Sequence, residues 1–340
     1  MATKSGRTII AEQPFSWKTF FLKWEWLLVI LFLGINVMNA SLSEYYLSGA
    51  GLFNATNSFL EKAFVALPMA YILVLGDIDI SVGSTACLSA VMLAYFYNLG
   101  VPMGLCIVIC LLTGTICGAI NGLILTKFTE LAPMIVTLGT QILYRGIAEA
   151  MLGDEARGGL SNVKWFSNLY WGKVGIIPIM LICFVVCAVV FGFVLHKTFF
   201  GRRLYAIGAN KLAAEYAGIK VQKIRMIVFT LTGTFAAVTA IFLAARMGST
   251  RADIATGYEL EAIAMAVLGG FSTDGGKGKF PGLILAIFIF ARKNKQYNTV
   301  GKLSAAPGIF NINEPLLFGL PIVLNPVLFV PFILTPMINV

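Results

Sequence analysis

The chain has 340 residues, of which 58% are hydrophobic and only 12% charged, and its mean hydropathy is +0.85. A soluble domain carries roughly 25% charged residues, so this composition excludes an ordinary water-soluble protein. It predicts an all-α, polytopic transmembrane helical bundle. The formal charge of +9 does not signal nucleic acid. Lys and Arg gather at the N-terminus, between Lys197 and Arg225, and near Lys277 and Lys293, as in loops kept on the positive-inside face of a membrane.

The cysteines at 87, 106, 110, 117, 183 and 187 all lie in apolar runs. Cys106/Cys110 and Cys183/Cys187 share helix faces, but no third ligand is near and the only histidine, His196, closes a span. They read as small hydrophobes. No disulfide framework, metal or cofactor is expected. Residues 1–23 are polar and basic, with no short apolar stretch, and are expected as a cytoplasmic lead-in rather than a signal peptide.

At roughly 20 residues per span the length supplies about eight to ten crossings. The first apolar run, Trp24 to Asn39, opens on two interfacial tryptophans. A loop from Ser43 to Asn57 carries Glu44 and no Lys or Arg, which places it outside. Further spans are expected over Phe59–Gly76, Ile80–Asn98, Val101–Thr126, Ala132–Leu152 and Val174–Leu195. A large basic loop follows, about 197–225, on the same side as a cytoplasmic N-terminus. A seventh span covers Met226–Met247, with Arg246, Arg251 and Asp253 in a short outer loop. Glu259–Gly270 makes about 18 Å of helix, too short to cross alone. Pro281 starts another apolar run that Arg292 to Lys295 cut off.

Three polar features carry functional information. Gly76 to Ser84 places Asp77 and Asp79 beside hydrocarbon, where carboxylates cost several kcal/mol unless protein, water or backbone donors answer them. Ser81 and its neighbouring glycines suit a helix start. Either a capped turn or a broken helix lining a translocation path fits. In the basic loop, Gly208 and Gly218 bracket a short helix capped by Asn210, its alanines facing out to dock a cytoplasmic partner. Gly269 to Lys279 lacks the G-x-x-x-x-G-K-[ST] spacing of a phosphate loop and reads as a tight reversal. With no nucleotide site visible, the chain is read as a transport subunit, not an enzyme.

These stretches resemble the permease family of bacterial ABC importers for ribose, other monosaccharides and the autoinducer-2 furanosyl diester. The matching text is Gly76 to Ser84, Ile120-Asn121-Gly122, Ile135 to Thr140 with Tyr144-Arg145-Gly146, Gly201 to Gly218, and Glu259 to Gly278. The resemblance covers about 16–291, and a permease transmembrane domain is expected over 24–291. It implies a multi-pass inner-membrane permease pairing with a second copy or paralogue, a cytoplasmic ATP-binding subunit that hydrolyses ATP, and a periplasmic or extracellular sugar-binding protein. Asp79, Ser81, Asn121 and Thr137 are its candidate path residues. Gly208, Ala209, Asn210, Ala213, Ala214 and Gly218 are its candidate ATPase-docking residues. Where the family usually has Gly-Gly-Ile-Asp-Leu-Ser, Asp77 stands in place of a glycine.

The C-terminus departs from that pattern. Residues 302–340, with Asn311-Ile-Asn313-Glu314-Pro315 and six prolines from Pro307 to Pro336, resemble the membrane component of phosphotransferase-system transporters for cellobiose or lactose. That resemblance implies sugar contacts at Asn313 and Glu314. A capped turn between half-helices is the alternative. So many prolines make a poor single helix, so 292–340 is expected as an irregular, atypical tail joined near Ala291 by fusion, rearrangement or an assembly error. A phosphotransferase translocator or a non-functional hybrid is the alternative function.

Overall fold

The computed structural model describes residues 49–291, except 154 and 176, and scattered helical positions between 29 and 41. The expected lead-in, most of the first span and the tail with Asn313 and Glu314 lie outside the described residues. The elements in chain order are α1 (Gly49–Leu75), α2 (Val82–Asn98), α3 (Met103–Lys127), α4 (Pro133–Leu152) and a 3-10 turn (Leu160–Asn162). There follow α5 (Lys164–Trp171), β1 (Lys173–Val174), β2 (Ile177–Pro178), α6 (Ile179–Lys197), α7 (Phe199–Ala209) and α8 (Lys211–Tyr216). The last three are α9 (Val221–Met247), α10 (Tyr258–Leu268) and α11 (Phe280–Ala291).

The expected all-α membrane bundle is what forms. By length and apolar composition α3, α6 and α9 each suffice to cross a membrane. The 17 residues of α2 and 11 of α10 give about 25 Å and about 16 Å of helix, short of a 30 Å hydrocarbon core. Both are half-helices preceded by non-helical chain.

Several boundaries differ from the sequence reading. Helix α1 begins at Gly49, so part of the expected outer loop is helical. Where a span was expected to open at Val174, β1 and β2 pair antiparallel instead, with Lys173 opposite Pro178. The short helix α5 had no counterpart among the expected elements; it buries Phe166 and Tyr170 and exposes Trp165 and Trp171. In the basic loop there are two helices rather than one, and Gly208 lies inside the first.

The hydrogen bonds sort the helix ends into two groups. At one end meet the end of α1, the start of α9, the end of α6, helices α7 and α8, and the 269–279 turn. They are joined by Gly276 N–H to Val74 O (2.9 Å), Tyr205 Oη to Gly278 O (2.8 Å) and Phe280 N–H to His196 Nε2 (3.0 Å). This is the basic end, with Lys197, Arg202, Arg203, Lys211, Lys220, Lys223, Lys277 and Lys279. At the opposite end Asn98 donates to Gly158 O, and Arg157 and Thr250 exchange backbone hydrogen bonds.

From Phe59 to Leu75, α1 is buried on nearly every face, as a helix apolar all round requires. Around it α9 packs closely on α3. Gly114, Gly118 and Gly122 form a ridge four residues apart on α3. A Cβ at Gly114 would overlap Gly233 O, and one at Gly118 would overlap Phe229 O. Lipid tails are as apolar as side chains, so membrane helices associate through such close backbone approach. Gly139 on α4 has no heavy atom within 4 Å of an added Cβ. Gly118→Val should therefore lower stability by about 1–3 kcal/mol through overpacking, while Gly139→Val leaves the melting temperature of the purified chain unchanged.

Candidate functional site

After α1, Gly76 (φ +79°) turns the chain and residues 77–81 run without helical bonding into the bundle. Polar groups in this stretch are answered from neighbouring helices or, for Asp79, from within the stretch itself. Asp77 takes a bidentate pair from Arg225 at the start of α9, Nε to Oδ2 at 2.6 Å and Nη2 to Oδ1 at 2.9 Å. Arg225 Nη1 also donates to Leu125 O at the end of α3 (3.1 Å). Asp79 Oδ1 accepts from Ser81 N–H (2.9 Å) and Ser81 Oγ (2.7 Å). Asn121 Nδ2 donates to Ser81 Oγ (2.8 Å), and Tyr144 Oη donates to Asn121 Oδ1 (3.2 Å). Thr137 Oγ1 accepts Ile80 N–H at 3.2 Å.

The four candidate path residues, Asp79, Ser81, Asn121 and Thr137, thus come together from three elements, and all are buried. They clasp the broken segment. Ser81 stands at the N-cap position of α2 but makes no capping bond; its hydroxyl is committed to Asp79 and Asn121 instead. The two acids divide their work. Asp77 fastens the turn to α3 and α9, and Asp79 shapes the backbone leading into α2.

A second broken segment enters from the other end. Gly248 (φ +66°) ends α9, and residues 249–257 pass alongside α2. Cys87 Sγ lies 3.1 Å from Ala252 O. Arg145 Nη1 on α4 donates to the carbonyls of Ala252 and Ile254, each at 2.7 Å. Helix α10 then starts beside the start of α2: a Cβ on Gly83 would overlap Glu259 Oε2. The expected short outer loop is therefore partly re-entrant: Ala252, Ile254 and Ala255 are buried, while Arg251 and Asp253 stay exposed.

Charges unassigned in the sequence reading link α1, α9 and α10. Glu61, fully buried, pairs with Arg246 Nη2 at 2.9 Å and accepts from Tyr258 Oη at 3.0 Å. Lys62 pairs with Glu261 at 3.0 Å and stands 4.8 Å above the Tyr258 ring. The signal was present: Glu61-Lys62 interrupts an apolar run, and ionisable residues inside spans carry a functional expectation with a partner to be found.

At the basic end α7 and α8 lie against the mouth of the first broken segment. A Cβ on Gly208 would overlap Val74 O and Gly276 N, so that glycine is a docking point within the chain. Asn210 Oδ1 caps α8 through Ala213 N–H (2.9 Å), as expected. Burial pushes the Tyr205 hydroxyl up to about 12, so it remains a donor to Gly278 at neutral pH. Ala209, Ala213 and Gly218 are exposed. Ala214 faces inward, buried, contrary to the expectation that the alanines face out. The outward apolar groups are Leu212 and Tyr216, 61% and 86% exposed, which the sequence reading passed over.

The cysteines are all free; four are buried and Cys183 and Cys187 half-buried. Among the described residues no group of side chains is arranged to hold a metal.

A helical bundle with two discontinuous crossings meeting inside it, and a basic helix pair applied to its end, defines a membrane transport permease. The chain belongs to the family described as branched-chain amino acid transport system / permease component, which matches residues 51–324. That match runs on past Ala291. A Salmonella paratyphi A protein named autoinducer 2 import system permease protein LsrD is 35% identical over 268 residues, 77% of this chain and 79% of its own length. The protein of that name from Yersinia enterocolitica is 33% identical over 284 residues, 82% of this chain and 85% of its own. No solved structure matches the chain. As a permease component the chain is a transport subunit rather than an enzyme.

The Asp77–Arg225 pair has side chains only 13% and 7% exposed. Breaking such a pair from one side costs about 3–5 kcal/mol, whereas removing both charges is far milder. Arg225→Met should strongly lower the melting temperature of the purified chain, and Asp77→Gly/Arg225→Met should recover most of the loss. Equal losses in the two variants would refute the pairing.

Proposed function

We propose that this chain is the permease subunit of an ATP-driven importer for a small sugar or sugar-derived furanose, set in the inner membrane with its basic end in the cytoplasm. The excess of Lys and Arg at that end supports the orientation. The relatives named for autoinducer 2 import support the direction of transport. A cytoplasmic ATP-binding subunit docks on α7 and α8, a sugar-binding protein delivers solute at the opposite end, and a second copy or paralogue completes the path.

The observation that carries the reading is helix α8. It presents Leu212 and Tyr216 to solvent amid basic residues, while Gly208 beside it is wedged between Val74 and Gly276. Exposed apolar anchors on a polar helix are what a partner groove captures. Force applied there passes directly to the end of α1 and the turn that leads into residues 77–81. The buried clasp of Asp79, Ser81, Asn121 and Thr137 forms the wall of the path, and a shift of that turn opens or closes it.

Leu212→Asp and Tyr216→Asp should each abolish co-purification of the ATP-binding subunit and ATP-dependent uptake while leaving the chain's membrane level intact. Ala214→Asp, on the inward face, should instead reduce the membrane level itself. Retained ATPase binding by the Leu212→Asp/Tyr216→Asp double variant would count decisively against the proposal.

A further inference from the structure

Two acids stand where the broken segments meet the half-helices, and only one is answered. Asp79 Oδ1 accepts two hydrogen bonds from Ser81. Glu259, the second residue of α10 and 5% exposed, accepts a 3.4 Å hydrogen bond on Oε1 from Gln141 Nε2. Its Oε2 is buried with no hydrogen-bond partner among the described residues, and so is Gln141 Oε1. The backbone N–H groups of Gly257 and Glu259 stand near the carboxylate, but neither reaches Oε2 with hydrogen-bond geometry. Folded proteins leave few buried acceptors unanswered, and each one calls for an explanation.

The surroundings are built to keep this pair in place. Gly83, the second residue of α2, leaves room that Glu259 Oε2 occupies; any side chain there would collide with it and with Ala255 O. The N-terminal ends of α2 and α10 both lie here, and their positive dipole ends favour an acceptor group between them. Arg145, one turn along α4 from Gln141, holds the Ala252 and Ile254 carbonyls and so fixes the chain that delivers Glu259. Ser84, next to Gly83, has a buried Oγ that is also unpartnered. Gln141 is half-buried, on a helix whose Leu138 and Ile142 are exposed.

We propose that Glu259 Oε2 and Gln141 Oε1 form a subsite for a polyhydroxylated solute, where neighbouring hydroxyls of a furanose or pyranose supply the two missing donors. A carboxylate and a carboxamide, fixed side by side, suit adjacent hydroxyls because each oxygen accepts and each hydroxyl donates. An anionic solute would be repelled by the carboxylate. The inference rests on the sugar-importer reading and names the contact that reading lacks.

The test uses the full chain in lipid nanodiscs, melted with and without millimolar D-ribose, D-xylose, D-galactose or L-leucine. At least one sugar should raise the melting temperature of the natural chain. Glu259→Gln and Gln141→Leu should each abolish that rise, and in cells each should raise the KM for sugar uptake about tenfold, the equivalent of one lost hydrogen bond of about 1.4 kcal/mol. Gln141 lies at the edge of the bundle, so Gln141→Leu reports on the subsite even if Glu259→Gln folds poorly. An equal rise in the natural chain and both variants, a rise with L-leucine alone, or no rise with any sugar would each overturn the subsite. Sugar uptake that continues while purified chain ignores sugar would sink the subsite and leave the importer reading standing; absence of both would sink the two together.

Discussion

Extended backbone inside an apolar bundle has no water to satisfy its N–H and C=O groups, and everything distinctive in this structure follows from meeting that constraint. The protein breaks two crossings, at residues 76–81 and 248–257, and must then answer them with side chains from elsewhere. Thr137 accepts the Ile80 N–H, and Arg145 donates to the carbonyls of Ala252 and Ile254. Both side chains come from α4. That one helix therefore holds both breaks, although at Gly139 and Gly146 its outer face packs against nothing among the described residues.

The charged groups follow the same logic at a second level. A lone charge in the bundle is costly, and three pairs are matched across helices: Asp77 with Arg225, Glu61 with Arg246, Lys62 with Glu261. These pairs join segments more than a hundred residues apart. They also connect the basic end to the interior. Gly208 touches the last turn of α1, and Arg225 opens α9 with its guanidinium on Asp77, so a displacement of α7 and α8 reaches the first break through backbone contact and an ion pair. Stiff, short connections transmit a push; a solvated loop would absorb it.

Much of the bundle was legible from apolar runs alone, because hydrocarbon burial sets span length whatever the neighbours are. The Asn210 cap was legible too, since capping is a local bond three residues long. The family motifs located Asp79, Ser81, Asn121 and Thr137 without their contacts. Errors arose where a distant partner decided the outcome. Ser81 forgoes its cap because Asn121 on another helix claims its hydroxyl. Ala214 turns inward because α8 packs back on the chain, leaving Leu212 and Tyr216 to face out. The outer loop keeps Arg251 and Asp253 exposed as expected, yet Arg145 takes its Ala252 and Ile254 carbonyls from a helix the sequence did not connect to it.

By itself the sequence determined that this protein belongs in a membrane and roughly where its apolar helices run. Those properties depend on composition, period and nearest neighbours, which a chain carries in linear order. Only the tertiary structure decided which charges meet, that the two breaks enter from opposite ends and converge at Gly83 and Glu259, and that Asp79 is answered while Glu259 Oε2 is not. The reason is that a buried polar group takes its partner from whatever helix lies within about 3 Å, and that adjacency exists only once the bundle is packed.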